Sequence, residues 1–231
     1  MALVIKSAKD FEDLKGTFLI YGPPGMGKTS TFKFLPGRSL LLDVDRTSHV
    51  LRGQGNIDIV EVDNVQTWTS WAETLTELGK MDLAPYENIG VDNVSELERC
   101  LLADLGRQGK NRGVPSMGDY QYMQFKIVDS LRYLKSLGKR LVWTAWEDTD
   151  EYIDAGGQKW NRTYPQINRK ILNNVLGLCD VVGKMLIKPD GDRGFTFQAT
   201  NSIYAKNQLD DRKGAKQNEL VPLPEGPSKK D

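Results

Sequence analysis

Residues 18–30 read Phe18-Leu19-Ile20-Tyr21-Gly22-Pro23-Pro24-Gly25-Met26-Gly27-Lys28-Thr29-Ser30, a short apolar run that enters a glycine-rich loop and leaves it through a lysine and a hydroxyl. From Gly22 to Thr29 the spacing is G-x-x-x-x-G-K-[ST], the pattern of a phosphate-binding loop, in the strand–loop–helix setting its chemistry requires. Successive backbone N–H groups of such a loop turn inward and make a nest for phosphate oxygens, helped by the positive end of the helix that follows. Gly22, Gly25 and Gly27 let the main chain curl without Cβ clashes. Lys28 brings a point charge to the β- and γ-phosphates, and the Thr29 hydroxyl is a Mg2+ ligand. The alternative, an ordinary glycine turn, does not account for the strand before the loop and the helix-compatible Ser30–Leu35 after it. The expected ligand is a nucleoside triphosphate, held by Gly22, Pro23, Pro24, Gly25, Met26, Gly27, Lys28, Thr29 and Ser30.

The rest of the chain must supply a body for this loop. Its 231 residues, 39% hydrophobic and 27% charged, have the composition of one soluble globular domain. We expect that domain to cover residues 1–220, with a proline-rich, charged, disordered tail at 221–231. Lys plus Arg equals Asp plus Glu at 31 each, so no overall field draws the chain to nucleic acid or anionic lipid. Any DNA contact has to come from a local basic surface or from many subunits together. Cys100 and Cys179 lie far apart with no CxxC, which reads as buried reduced thiols and a cytoplasmic location. No run approaches membrane-spanning length, so no membrane partner is expected. His49 is the single histidine, which excludes a His pair or a His-rich metal site.

Apolar runs alternate with amphipathic stretches, the signature of a mostly parallel sheet with helices on its faces. Strands are expected at Phe18–Tyr21, Ser39–Val44, Ile57–Val62, Asn88–Asp92 and Leu141–Trp146. Between them, Trp68, Trp71, Leu75 and Leu78 share one helix face, and Val94, Leu97, Leu101 and Leu105 another. Gly106–Gly118 breaks the periodicity. A long helix follows, with Tyr122, Phe125, Val128, Leu131 and Leu134 on its buried face. Glu151–Trp160, with Gly156-Gly157 at its centre, reads as a β-hairpin, and Gln166–Leu178 as a helix. From Val181 onward the pattern is antiparallel: Val181–Ile187, a turn at Asp190–Gly194, Phe195–Thr200 and Ile203–Ala205.

Acidic residues decide what surrounds the cradle. Asp92 ends an apolar strand and is the candidate Mg2+-holding carboxylate, partnering Thr29. Asn93 follows it, where AAA+ motors usually place a catalytic Glu, so the water-activating carboxylate must come from elsewhere. The strand after the loop ends Leu41-Leu42-Asp43-Val44-Asp45, and alternation sends Asp43 and Asp45 the same way.

A phosphate loop, an acidic residue ending the next strand, and a metal-holding Asp without an adjacent Glu together resemble the RecA/RadA recombinase ATPase core. The similarity extends over about residues 15–210, through Ser116-Met117-Gly118 and the long helix after it, to the helix–β-hairpin finish at Asp180–Lys206. It implies an α/β fold: a RecA-like P-loop NTPase core, mostly parallel, with antiparallel strands at the C-terminal end. It also implies an ATPase using ATP and Mg2+, with Asp45 as the catalytic carboxylate. Lys206 is implied as a finger reaching a neighbouring subunit's γ-phosphate, beside Lys28. The chain has room only for the core, which makes it similar to the core-only RecA-like ATPases of bacteriophages that act in recombination and single-strand annealing. The host bacterial cytoplasm is then the compartment. Two departures stand out. Asp45 is one methylene shorter than the family's Glu, and Trp146 stands where the family has a polar γ-phosphate sensor, leaving Thr144 or Glu147 to substitute.

The implied partners are single-stranded DNA, further copies of the chain in a ring or filament, and a single-strand-binding protein. Two segments suit DNA. The loop Arg107-Gln108-Gly109-Lys110-Asn111-Arg112-Gly113 carries three cations and no acid, with Tyr120 and Tyr122 close behind. It reads equally as a solvated surface loop. Gln158–Lys170 interleaves Lys159, Trp160, Arg162 and Tyr164, although Asp148, Asp150, Glu151 and Asp154 upstream oppose phosphate. Two rival functions remain open: a motor or loader acting on duplex DNA or protein, and a nucleotide-gated interaction module with little hydrolysis.

Overall fold

The structure is a computed structural model that describes Ser7 and residues 15–222. Its elements run Thr17–Tyr21 (β1), a 3-10 helix at Thr29–Phe34, Ser39–Asp43 (β2), a second 3-10 turn at Ser48–Leu51, Ile57–Glu61 (β3), Thr67–Leu78 (α1), Asn88–Asp92 (β4), Val94–Gln108 (α2), Met117–Ser136 (α3) and Arg140–Ala145 (β5). Then follow Glu147–Ile153 (β6), Lys159–Pro165 (β7), Arg169–Leu178 (α4), Val181–Ile187 (β8), Arg193–Thr196 (β9), Lys206–Asn207 (β10), Gly214–Lys216 (β11) and a 3-10 turn at Gln217–Glu219.

Nine strands form one sheet in the order β11-β9-β8-β1-β5-β4-β2-β3, with β10 also pairing β8. The run from β8 to β3 is parallel, so β5 lies between the loop-bearing β1 and β4, which ends in Asp92. A parallel sheet is covered on both faces, so its strands read as continuous apolar runs. Along β1 the alternation divides two cores. Leu19 and Tyr21 enter a cluster under the four helices, with Trp71, Leu97, Leu131 and Val175. Phe18 and Ile20 enter a second cluster with Phe32, Val142, Phe195 and Leu220. Gly90 makes the second possible, because a Cβ there would stand 2.3 Å from the Phe32 ring.

The α/β architecture, mostly parallel and helix-flanked with antiparallel strands at the C-terminal end, is the one the sequence implies. Details differ. The segment after the loop is a six-residue 3-10 helix rather than an α-helix. Its Thr-Ser-Thr-Phe-Lys-Phe run is built from middling helix formers, and Pro36-Gly37 stops it before α-helical propagation can offset nucleation. In α3 the buried apolar stripe is Met123, Ile127, Val128, Leu131 and Leu134, while Tyr122 and Phe125 are 65% and 71% exposed. The expected and observed stripes share Val128, Leu131 and Leu134 and part only in the first turns, where packing on α2 and α4 chooses between them. Strand β8 is not purely antiparallel: it runs parallel to β1 and antiparallel to β9.

Ile203–Ala205 forms no strand. Ile203 makes one bridge to Thr163, and the short strand is Lys206–Asn207. The hairpin turns at Gly156-Gly157 as expected but with longer arms, each of 7 residues. Pro165 ends β7, and α4 begins after Asn168, whose side chain accepts the Lys170 N–H. Val221 is buried in the second core, so packing passes the expected boundary at 220; residues 223–231 lie outside the described residues.

Candidate nucleotide-binding site

Strand β1 delivers the loop at the C-terminal edge of the sheet. Gly25 and Gly27 take φ of 79° and 98°, in the left-handed region that side chains disfavour. A cavity of about 580 Å³ opens over the loop, lined by Pro24, Gly25, Gly27, Lys28, Thr29 and Ser30. Of the expected loop set, Gly22, Pro23 and Met26 are not in the wall. The carbonyls of Gly22 and Pro23 instead accept the Lys28 ammonium at 2.8 and 2.9 Å, and Met26 packs on the second core. Two of the three Lys28 donors are thus engaged. Burial pulls Lys28 below the ordinary lysine value, and the charges of Asp92 and then Asp45 push back.

Asp45, two residues past the end of β2, and Asp92, the last residue of the adjacent β4, reach the same cavity. In the β2–β4 register Asp43 lies beside Asp92, and the Asp92 carbonyl accepts the Val44 N–H at 2.7 Å. Asp45 accepts the Thr47 hydroxyl at 2.8 Å and the Asn93 amide at 2.6 Å. Burial raises its carboxyl above the usual range, offset in part by the Thr47 hydrogen bond. Asp92 is fully enclosed; burial, then the Asp45 charge, push its carboxyl up to about 6. Thr144 donates to Asp92 Oδ1, while Oδ2 is buried with no partner. An unsatisfied buried carboxylate oxygen beside the Thr29 hydroxyl is a hard-oxygen donor set suited to Mg2+, which takes few protein ligands and the rest from phosphate and water. Asp43 does not line the cavity. One of its oxygens accepts the Ser48 N–H at 3.2 Å and the other is unpartnered.

Trp146 lines the far wall. Its backbone N–H donates to Ser95 Oγ at 2.9 Å, its carbonyl accepts the Gln166 N–H at 2.8 Å, and the Arg99 guanidinium stands 4.6 Å over its ring. Neither substitute sensor is unengaged: Thr144 holds Asp92, and Glu147 pairs with Lys184 at 3.2 Å. Thr47, His49, Val50, Glu96 and Arg193 also line the cavity, outside the residues the motifs point to. Glu96 had a local signal, three residues after Asn93, which caps α2 by accepting the Glu96 N–H at 2.7 Å. Arg193 had none, being about 165 residues from the loop it overlies.

Lys206 is not in the cavity. It sits on β10 opposite Val182, and its ammonium donates to the Leu176 carbonyl at 2.9 Å. The five expected DNA contacts separate into two groups. Lys110 and Arg112 are exposed, without a side-chain partner among the described residues. Arg107 beside them donates to the Val65 carbonyl and pairs with Asp104 at 3.6 Å. On the hairpin, Lys159 pairs with Glu151 at 3.1 Å, and Arg162 is stacked between Tyr152 and Tyr204, at 4.5 and 5.3 Å.

A parallel sheet whose first strand ends in this loop, with a lysine, a hydroxyl and two strand-end carboxylates around one cavity, defines a P-loop NTPase. The chain belongs to the AAA domain family of P-loop ATPases, whose sequence profile matches residues 15–209. No curated protein matches it. Among the described residues no helix is long and apolar enough to cross a membrane.

Proposed function

We propose that the chain is an ATP- and Mg2+-dependent, RecA-type ATPase of the core-only bacteriophage kind, which oligomerises and binds single-stranded DNA in recombination or strand annealing. The observation that carries the ATPase reading is the convergence of Lys28, Thr29, Asp45 and Asp92 on one cavity. The loop N–H groups and Lys28 hold the triphosphate. Thr29 and Asp92 would hold Mg2+, which would supply charge neutralisation to the phosphates. Asp45 accepts a proton from the attacking water as its oxygen bonds to the γ-phosphorus and the bond to the β-bridging oxygen breaks. A carboxyl raised by burial is the stronger base for that step.

The DNA reading is supported by the α2–α3 loop. Unpartnered Lys110 and Arg112 stand just before α3, on which Tyr122 and Phe125 are exposed, so cations for phosphates and rings for bases occur in one stretch. A single-strand-binding protein is a fitting partner for such a role. Trp146 in the cavity wall, with Asp45 in place of a longer glutamate, favours one second reading: a nucleotide-gated interaction module with slow turnover. ATP hydrolysis measured with and without an unstructured oligonucleotide separates them. Stimulation by DNA supports the recombinase reading. Salt-dependent DNA binding without turnover leaves the gated module, and no DNA binding at all removes the DNA role.

A further inference from the structure

Three carboxylates and two full cations line the nucleotide cavity: Asp45, Asp92 and Glu96 against Lys28 and Arg193. The loop motif accounts for Lys28 and leaves Arg193 without a task. Arg193 is exposed, and its side chain has no hydrogen bond, ion pair or ring contact with the described residues. Strand pairing fixes where it stands. Arg193 opens β9 opposite Ile187 on β8, and β8 is the parallel neighbour of β1, the strand that delivers the loop. The other edge of β9 pairs with β11. Directly after β11, the Gln217 amide donates to the Gly27 carbonyl at 2.8 Å and to the Thr31 hydroxyl at 3.2 Å. The loop and the strand carrying Arg193 therefore belong to one hydrogen-bonded unit.

The arginine stem crosses the loop over Gly27. A Cβ at that glycine would lie 3.2 Å from Arg193 Cδ and 3.3 Å from Nε, tighter than ordinary van der Waals contact, so the missing side chain leaves the stem its room. A guanidinium keeps its charge at any working pH and offers a planar fork of donors that matches phosphate oxygens. A triphosphate entering this cavity meets three carboxylates, and the Lys28 ammonium is already shared with two carbonyls. Even with Mg2+ offsetting part of that negative charge, Lys28 is the one lining side-chain cation besides Arg193 among the described residues.

We propose that Arg193 is a phosphate-contacting residue of the nucleotide cavity, supplied by the chain's own C-terminal hairpin. The proposal rests on the nucleotide-binding reading and adds to it a second cation that needs no neighbouring subunit. Arg193 holds the polyphosphate across Gly27 while Lys28 holds it from within the loop.

The test is a calorimetric titration of wild type, Lys28→Ala, Arg193→Ala and Arg193→Lys with ATP, ADP and AMP in the presence of Mg2+. The exposed position opens no core cavity, and a thermal melt checks that each variant is folded. Arg193→Ala is expected to weaken ATP and ADP by about tenfold or more, the scale of a lost hydrogen bond to a charged group, and AMP far less. Arg193→Lys is expected to recover part of the loss, since the charge returns without the fork. A folded Arg193→Ala protein that binds ATP like wild type, while Lys28→Ala does not, overturns the proposal and leaves the nucleotide site standing. An equal loss for AMP and ATP also overturns it, by making Arg193 a contact to base or ribose. Wild-type protein that binds no ATP removes the nucleotide reading and this proposal together.

Discussion

The Asp45 charge helps to raise Asp92, while burial and the Asp43 charge raise Asp45, yet the residues around the two differ in a way that separates their tasks. Asp45 is hydrogen-bonded through both oxygens, by Thr47 and Asn93, whereas Asp92 keeps Oδ2 unpartnered. Asp92→Asn is therefore expected to weaken Mg2+-dependent nucleotide binding, and Asp45→Asn to leave binding intact and abolish turnover. A pH profile sharpens the assignment. Metal coordination requires the carboxylate, and the Asp92 carboxyl titrates near 6, so Mg2+-dependent affinity rises with pH through about that value. The triphosphate's own last proton titrates in every variant, so the Asp92 contribution is the difference between the wild-type and Asp92→Asn profiles. Parallel profiles would contradict the metal-holding role, and wild-type turnover by Asp45→Asn would contradict the base.

Among the elements, the α2–α3 loop and the β6–β7 hairpin compete as DNA surfaces. Lys110 and Arg112 on the loop have no side-chain partner among the described residues, while Lys159 and Arg162 are engaged within the hairpin. Alanine at both Lys110 and Arg112 is expected to lower single-stranded DNA affinity and flatten its salt dependence by about 1.4 units of log–log slope, at roughly 0.7 per contact. Phe125→Ala is expected to cost roughly 1–3 kcal/mol of the same affinity with an unchanged slope, because stacking carries no counterion release. Unchanged binding in both proteins would exclude the loop.

The contact between α2 and the start of α4 holds a different test. Glu98 is buried, accepts the Asn168 N–H at 2.8 Å through one oxygen, and has its other oxygen unpartnered. Burial pushes its carboxyl from 4.5 up to about 8. A raised folded-state value stabilises the protonated form, so the stabilisation is complete below about pH 4.5 and is lost as pH rises through about 8. Glu98→Gln, neutral at every pH, is expected to melt higher than wild type at pH 9 and near it at pH 5. A constant difference across that range would show that burial does not raise the Glu98 carboxyl above its ordinary value.

For the whole molecule the question is whether the site is complete in one chain. Lys206 is held by the Leu176 carbonyl, a bond worth about 1 kcal/mol that an intersubunit reach would have to replace. If Lys206 serves a neighbour, Lys206→Ala lowers turnover, and mixing it with Lys28→Ala protein restores part of it. Equal ATP hydrolysis by a demonstrable monomer would show instead that one chain suffices and that Lys206 need not reach a neighbour.

The phosphate loop was legible in the sequence because its function depends on local backbone geometry: glycines at positive φ, a lysine and a hydroxyl at set spacing. The parallel strands were legible because burial on both faces leaves continuous apolar runs such as Leu40-Leu41-Leu42. The strand-end position of Asp92 followed from the same runs. Local spacing could not decide which of two overlapping stripes α3 buries, since Tyr122 and Met123 both continue into Leu131 and Leu134 at helical periods. Nor could it show that Lys110 and Arg112 stay unpartnered while Arg162 is stacked between two tyrosines, because a charge's availability depends on what folds against it. Arg193 arrived over Gly27 only through the pairing of β9 with β8 and of β8 with β1. Short-range chemistry is written in neighbouring residues, whereas the sharing of a cavity by residues far apart in the chain is settled by strand order and packing.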